Sequence, residues 1–246
     1  MVDNERVRAG LTAAVAESGG GAAADRLCAC CVGLLAVDGA ALSLVSGGAL
    51  YSVGLSGSGI SAVDELQFTL GEGPCLDAVD SSAPVLVADL TVTDRWPFFA
   101  VAAARLGVRA VFALPVTVAG FPVGVLTLCR HRPGRLTGGT ATGVLLAAEL
   151  AVLPLLDVIG TDMRAAVDDV GSPAWDELGS MMRSEVYQAS GVVIAQLGVP
   201  PAEAMVRLRA HAFATGKSLT EIAYQILEHD LYLDDDDHRD QPGSEF

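Results

Sequence analysis

Side chains that could carry chemistry are few in this sequence and lie far apart. Cysteine occupies five positions, an odd set that does not form two C-x-x-C pairs: Cys28, Cys30, Cys31, Cys75 and Cys129. This spacing favours neither a disulfide framework nor a tetrahedral zinc site. We expect the cysteines to be small buried apolar residues. Cys75 follows a glycine-rich turn, but no neighbouring His or Lys in the sequence would lower the pKa of its thiol.

Carboxylates near Cys75 offer a second candidate chemistry. Glu72, Asp77 and Asp89 lie in this region, but the sequence contains no H-E-x-x-H motif, phosphate-binding loop or nucleophile elbow. The sequence therefore predicts no catalytic residue and no metal site, and it identifies no cofactor. A further set of side chains either lines an apolar ligand pocket or only fills a core, and spacing alone leaves both open: Phe68, Cys75, Trp96 and Phe99.

The composition limits the possible classes of protein. With 51% hydrophobic and 18% charged residues, the chain has enough apolar material for packed cores. The formal net charge of −15 argues against wholesale nonspecific binding to nucleic acid. The first residues lack a secretory signal, which predicts a cytoplasmic protein. The apolar stretch 143–160 is interrupted by Glu149, Pro154 and Asp157, so we expect no membrane span.

Hydrophobic periodicity divides the chain into two domains. Residues 1–160 predict an antiparallel sheet of about five strands with helices before and after it, an α+β domain in which both sheet faces are covered. The predicted helices are 3–18, 22–36, 96–106 and 136–156, and Asp3 is expected to cap the first of them. A loop is predicted from Gly57 to Leu70. The predicted strands are 41–45, 50–55, 84–88, 108–118 and 121–130, of which the last two form the clearest hairpin.

The C-terminal part is predicted to be all-helical. Residues 161–179 have the composition of a linker, and residues 180–232 contain three helical segments at about 180–198, 201–215 and 218–232. The third segment begins with a capping box, Ser218-x-x-Glu221, followed by apolar residues at helical spacing. Residues 233–246 are expected to form an acidic disordered tail.

Two spaced sets of residues resemble known domain families. The first resembles a GAF domain and consists of Gly71-Glu72-Gly73-Pro74-Cys75, Asp89-Leu90, Arg95-Trp96-Pro97, Arg109 to Pro115 and Gly124-Val125-Leu126. The second resembles an ANTAR domain and consists of Gln188-Ala189-Ser190-Gly191, Ala204, Leu208-Arg209, Ala212 and Leu219-x-x-Ile222-Ala223. Together they cover most of the chain.

The resemblance implies a signal-responsive regulator. In such proteins a sensor domain, which binds a small molecule or dimerises, is coupled to an antiterminator that binds an RNA with two hairpin loops, so that a downstream terminator cannot form. We expect a homodimer, which would present two modules to the two loops. Many family members carry Lys where this chain has Ser190, and the lost cation is expected to weaken phosphate contact.

Six residues are candidates for contact with RNA: Gln188, Ser190, Gly191, Arg207, Arg209 and Tyr224. Gly191 costs helix stability, so either a second helix or RNA should approach it closely, and helix packing is the preferred explanation. Arg209 falls beside Val206 and Phe213 on the helical wheel. In a structural role, its side chain would extend along an apolar surface or pair with a carboxylate. In a functional role, its guanidinium would contact a phosphate or a base.

Two other functions stay open at this point. Residues 180–228 carry four basic and four acidic side chains, and this neutral balance also suits a bundle that contacts a protein partner instead of RNA. The second is a redox enzyme similar to the sulfoxide reductases of the GAF fold, with Cys75 or Cys129 as its thiol. Unchanged activity in a cysteine-free variant would exclude it.

Overall fold

The computed structural model describes residues 4–16, 19–46, 49–162 and 183–233. The chain divides into two compact units, Met1–Met182 and Arg183–Phe246, and each is described here by itself. The predicted cap at Asp3 lies outside the described residues, as do nearly all of the predicted linker and of the acidic tail.

The N-terminal unit contains one antiparallel sheet of five strands in the order β2-β1-β5-β4-β3. The strands are β1 (Gly39–Ser46), β2 (Ala49–Gly57), β3 (Val85–Val87), β4 (Ala110–Val118) and β5 (Phe121–Arg130). The two predicted hairpins pair as β1 with β2 and β4 with β5, so the α+β prediction is confirmed. Nearly every residue of β1 is buried, because helices cover both faces of the central strands.

Helices on the two faces of the sheet create two separate cores. One face is covered by α1 (Asn4–Ala16), α2 (Gly20–Leu34), α6 (Gly138–Leu150) and α7 (Val152–Asp157). The other face is covered by α3 (Ile60–Leu70), α4 (Pro74–Ser81) and α5 (Pro97–Arg105). The core under α1 and α2 contains the fully buried Leu27, Leu42 and Leu126 and the ring of Phe112, whereas the core under α3 to α5 includes Trp96 and Phe99.

The prediction of a loop between Gly57 and Leu70 is wrong, because residues 60–70 form α3, and α4 was not predicted. Both helices are short; α3 has glycine at both ends, and α4 follows Gly73 and ends before Ser82. Gly59 and Gly71 flank α3 in the left-handed conformation, and Pro74 occupies the first turn of α4, where a missing N–H costs nothing. Glycine and proline at helix ends are also typical of loops, which is why the sequence alone predicts a loop here.

The helical run Gly138–Gly160 is long and apolar enough to cross a membrane by length and composition. Core packing gives another reason for its hydrophobicity. About 44% of its most apolar window is buried in the unit, where Val144, Ala147 and Leu155 contribute to the core beneath α1 and α2. The bent pair 184–197 and 201–215 passes the same test only if both helices are taken together.

The C-terminal unit is a bundle of three helices: α8 (Ser184–Leu197), α9 (Pro201–Thr215) and α10 (Leu219–Leu227). Its core is built from Val186, Ala189, Val193, Ala204, Leu208, Ala212, Leu219, Ile222, Ala223 and Ile226. The predicted capping box is present, with the Ser218 hydroxyl accepting from the Glu221 N–H and the Glu221 carboxylate accepting from the Ser218 N–H. The third helix ends at Leu227 and not at residue 232, since His229 adopts a positive φ.

Candidate functional site

Three of the four residues predicted to line a ligand pocket lie together in the core between the sheet and α3 to α5. Phe99 is fully buried, and Trp96 and Cys75 are nearly so. Phe68 is half-buried on α3 and does not belong to that cluster. An open cavity of about 640 Å³ borders α5 and is lined in part by Pro97 and Arg105. None of the four predicted pocket residues lines this cavity. The ligand pocket therefore stays a prediction.

Cys75 is the centre of a buried polar group that joins α3, α4 and β5. Its Sγ lies 2.8 Å from Thr127 Oγ1 and accepts from the Gln67 side-chain amide at 2.9 Å, while the Gln67 carbonyl accepts from the Cys75 N–H at 2.8 Å. Burial raises the pKa of the Cys75 thiol to about 12, although the hydrogen bonds from Thr127 and Gln67 oppose the shift. A thiol with this pKa supplies almost no thiolate near neutral pH.

The other buried cysteines are also poor nucleophiles. Burial raises the pKa of Cys28 and of Cys129 to about 12 in each case, and the charge of a nearby aspartate adds to the effect. Cys31 is shifted in the same direction by burial. All five cysteines are free. These environments give no support to the redox enzyme that was considered as an alternative.

The three acidic side chains near Cys75 have structural partners. Glu72 Oε1 accepts from the N–H groups of Phe98 and Phe99 at 2.9 and 2.8 Å, and so caps α5. Asp77 pairs with Arg95 and accepts from the Trp96 indole. Asp89 accepts from the N–H and hydroxyl of Thr91 and pairs with Arg109; these contacts, led by the Thr91 N–H, lower its pKa.

In the C-terminal unit, a set of apolar and aromatic side chains is exposed on the first two helices. Tyr187 on α8 is 42% exposed, and Val206 and Phe213 on α9 are 62% and 54% exposed. Arg209 lies between Val206 and Phe213 at helical spacing and is half-buried. We call Tyr187, Gly191, Val206, Arg209 and Phe213 the α8–α9 face. Exposed aromatic rings beside a guanidinium are suited to stacking with bases.

Arg209 differs from an ordinary surface arginine. Its Nε is buried and makes no hydrogen bond within the described part of the chain. Burial lowers the pKa of the guanidinium, and the electrostatic influence of the Tyr187 phenol partly offsets that shift. Tyr187 and Arg209 are thus close enough to interact, although they belong to different helices. The structure favours an arginine that lies along an apolar surface with donor capacity left over.

Gly191 has open space where a side chain would be. A Cβ built at this position meets no heavy atom within 4 Å among the described residues. Close approach of another helix, the preferred explanation from the sequence, is therefore corrected, since no described helix lies there. Gly191 is exposed and follows Tyr187 by one helical turn, so an external partner could reach the backbone of α8 at this point.

The other predicted RNA contacts are scattered. Gln188 and Tyr224 are exposed, but Ser190 is only 7% exposed, because it shares the inward face of α8 with Val186, Ala189 and Val193. Ser190 therefore supports packing and is not part of the α8–α9 face. Arg207 pairs with Glu203 one turn earlier at 3.1 Å. Tyr187 was missed from the sequence; its position one turn before Gly191 was the available signal.

Solved structures of GAF domains and of a reductase have a fold similar to part of this chain. The GAF domain of an Acinetobacter phosphoenolpyruvate-protein phosphotransferase is 12% identical, with a TM-score of 0.52 over 64% of this chain and 96% of that one. The GAF domain of a phosphoenolpyruvate-protein phosphotransferase from Coxiella burnetii is 18% identical, with a TM-score of 0.50 over 61% of this chain and 91% of that one. Free methionine-R-sulfoxide reductase from Neisseria meningitidis is 16% identical, with a TM-score of 0.50 over 63% and 89%. These similarities establish a GAF-type fold.

The sequence of the chain also matches two domain families. A GAF domain matches residues 20–151, more than half of the chain, and an ANTAR domain matches residues 182–227. The chain belongs to the GAF domain family and carries a C-terminal ANTAR domain, as the sequence motifs predicted. A comparison with curated proteins gives no match. Both domains are regulatory, and the combination fits a signal-responsive ANTAR regulator.

Proposed function

We propose that this protein is a cytoplasmic transcription antitermination regulator that binds structured RNA with two hairpin loops through the α8–α9 face of its ANTAR domain. The observation that carries the proposal is the face itself. It combines an open helix backbone at Gly191, the exposed rings of Tyr187 and Phe213, and the half-buried Arg209. Unpaired RNA bases are bound by stacking on aromatic rings and on arginine, and by hydrogen bonds to base edges.

The charge of the domain supports recognition of loops over recognition of a duplex backbone. Residues 180–228 are neutral, with four basic and four acidic side chains. A protein that held RNA mainly by its phosphates would need a surplus of Lys and Arg. Stacking and base-edge contacts depend less on charge, so a neutral surface with exposed rings can hold a loop.

The direct test is binding of the purified full-length protein to a synthetic two-hairpin RNA with A-rich loops. A scrambled RNA of the same length serves as the control, and both are measured at two salt concentrations. We expect the protein to bind the two-hairpin RNA and not the scrambled RNA. Its affinity should depend only weakly on salt, because few phosphates are neutralised. A well-folded protein that binds neither RNA would contradict the proposal.

Replacement of Gly191 by alanine separates stability from binding. We expect Gly191→Ala to stabilise the ANTAR domain by about 0.5–1 kcal/mol, because alanine is the better helix former and the space is open. RNA affinity should fall about tenfold, since a methyl group inserted into a close contact costs ~1–3 kcal/mol. Thermal unfolding and RNA titration measure the two effects.

The control for this prediction is Gln196→Ala on the same helix. Gln196 is exposed and points away from Gly191 by the helical period. Its replacement should leave RNA affinity unchanged. If Gly191→Ala stabilises the domain and binds RNA as tightly as the parent protein, then RNA does not approach the backbone of α8 there.

A protein partner is the second candidate for the same face. The neutral charge of the domain and the exposed Val206 and Phe213 suit an apolar protein surface as well as they suit RNA. The two candidates differ in the RNA titration. Specific RNA binding that requires Arg209 excludes a face that serves protein contacts alone.

We further propose that the protein is a homodimer held by the last helices of the GAF domain. Leu145, Leu153, Leu156 and Ile159 are 41–54% exposed and form a stripe along α6, α7 and the turn that follows, which is apolar except for the exposed Glu149. A stripe of this kind is stabilised when a second copy covers it. Two copies would present two ANTAR domains to the two hairpin loops.

The dimer proposal predicts that a charge in the stripe produces monomers. Leu156→Glu should halve the molar mass measured by light scattering at micromolar concentration, because burial of an unpaired carboxylate at an apolar interface costs several kcal/mol. Leu106→Glu is the matched control, since Leu106 is 53% exposed at the end of α5, outside the stripe. An unchanged mass for Leu156→Glu would place the interface elsewhere.

A further inference from the structure

Ser58 and His131 form a hydrogen-bonded pair at one end of the sheet of the GAF domain. Ser58 Oγ lies 2.9 Å from His131 Nε2, although the residues are 73 positions apart in the sequence. Both side chains are exposed, so a small molecule in solution can reach them. A serine hydroxyl within this distance of an imidazole nitrogen has the arrangement of a nucleophile with its base.

The surroundings of His131 determine which ring nitrogen carries the proton when the imidazole is neutral. His131 Nδ1 lies 3.0 Å from the carbonyl oxygen of Gly107. A carbonyl oxygen only accepts hydrogen bonds, so Nδ1 must carry the proton. In the neutral ring Nε2 is then the acceptor, and it faces the Ser58 hydroxyl with its lone pair. The backbone carbonyl of Gly107 thus orients the ring for proton abstraction.

Asp38 holds both partners in place. The backbone N–H of His131 donates to Asp38 Oδ2 at 2.8 Å, and the backbone N–H of Ser58 donates to the Asp38 carbonyl oxygen at 2.8 Å. The ring also lies against Gly59, where a Cβ would come within 3.1 Å of His131 Cε1. Gly59 adopts a positive φ of 77°, which other residues rarely do. The pair is therefore positioned by backbone contacts.

Ser58 also occupies a favourable place for an anionic intermediate. It lies between the end of β2 and the start of α3, and α3 begins two residues later without a side-chain cap. The N–H groups of the first turn of a helix have no partner inside that helix. Such N–H groups can stabilise the negative oxygen that forms when a carbonyl is attacked.

We propose that Ser58 is a covalent acceptor for small activated acyl groups, with His131 as its general base. His131 Nε2 takes the hydroxyl proton as Ser58 Oγ attacks the carbonyl carbon of an ester with a good leaving group. The bond to the leaving group breaks, the leaving group departs with the proton from His131, and the acyl group remains on Ser58 as an ester. No oxidant, reductant or metal is needed.

This reaction would provide the sensor domain with a covalent input. It is independent of RNA binding, because it concerns the GAF domain alone. The chain offers little competition for an acyl donor. Lys217 is its single lysine, and burial raises the pKa values of all five cysteines, including Cys30, which is only partly buried.

The test uses 4-nitrophenyl acetate and the intact full-length protein. We expect release of 4-nitrophenolate and a gain of one acetyl group, which peptide mapping places on Ser58. Ser58→Ala should abolish the modification, and His131→Gln should slow it by roughly 10²- to 10⁴-fold, the usual contribution of a general base. Ser61→Ala is the matched control, since Ser61 is exposed nearby on α3, and it should react like the parent protein.

Three results would overturn the proposal. These are no acetylation of the parent protein, acetylation mapped to a residue other than Ser58, and equal rates for His131→Gln and the parent. Because mapping is carried out on the parent protein, the outcome does not depend on whether the variants fold. Circular dichroism spectra of the variants establish that any loss of rate is not a loss of structure.

Discussion

Arg209→Ala is expected to weaken binding of the two-hairpin RNA by roughly 5- to 150-fold. A side chain that reads or stacks on a base contributes ~1–3 kcal/mol, and 1.4 kcal/mol corresponds to a factor of ten in affinity. Arg209 is suited to this role because its buried Nε lacks a partner among the described residues and the residue lies between the exposed Val206 and Phe213 at helical spacing. The free protein loses no ion pair that the structure describes for Arg209.

The matched control for Arg209 is Arg207→Ala on the same helix. Both changes remove one positive charge, but Arg207 is paired with Glu203 on the surface, an interaction that contributes little to stability. We expect less than a tenfold loss for Arg207→Ala. Fluorescence titration at several salt concentrations makes the comparison. Equal losses for the two variants would mean that net charge, and not the α8–α9 face, determines affinity.

Gly54→Ala is expected to destabilise the GAF domain strongly. Gly54 lies on β2 directly beneath α2, and a Cβ there would lie 2.6 Å from the Ala24 carbonyl carbon and 2.8 Å from the Asp25 nitrogen. These are backbone atoms, so the helix itself would have to move. Overpacking of this kind typically costs ~1–3 kcal/mol. The hydrogen bond from the Leu55 N–H to Asp25 Oδ1 at 2.9 Å would also be disturbed.

We expect Gly54→Ala to lower the melting temperature of the GAF domain by about 2–12 °C, at roughly 2–4 °C per kcal/mol for a domain of this size. Gly33→Ala is the control, because Gly33 lies in α2 and a Cβ there meets nothing within 4 Å. That variant should be as stable as the parent or slightly more stable. A Gly54→Ala protein with parental stability would show that α2 can move away from β2 at little cost.

Local sequence patterns predicted the elements that are long or have a distinctive boundary. The hairpin of β4 and β5 follows from two apolar runs around Ala119 and Gly120, and α10 follows from its capping box. The two short helices α3 and α4 were missed, because segments of 11 and 8 residues are too short to display a clear helical periodicity. Their existence depends on packing against the far face of the sheet, which no local pattern encodes.

The candidate sites were less predictable than the fold. Arg209 and Gly191 could be selected from the sequence because they belong to the ANTAR motif. Tyr187 gains its significance only from its proximity to Arg209 across two helices. Likewise, Ser58 and His131 lie at the same end of the sheet because β2 and β5 both pair antiparallel with β1 and therefore end on the same side. Contacts between distant segments are determined by strand order, and strand order was not among the predictions.

If the ANTAR domain binds RNA as proposed, the contrast between its neutral charge and the acidic chain has a kinetic consequence. The full chain carries −15, whereas residues 180–228 carry no net charge. An approaching RNA is therefore repelled over long distances and attracted only at close range, where Arg209 and the aromatic rings act. Association should be slow at low ionic strength and should become faster as moderate salt screens the repulsion, the opposite of most RNA-binding proteins. The long-range repulsion is the same for every RNA of equal length, so discrimination between RNAs would arise only at close range, where bases are contacted.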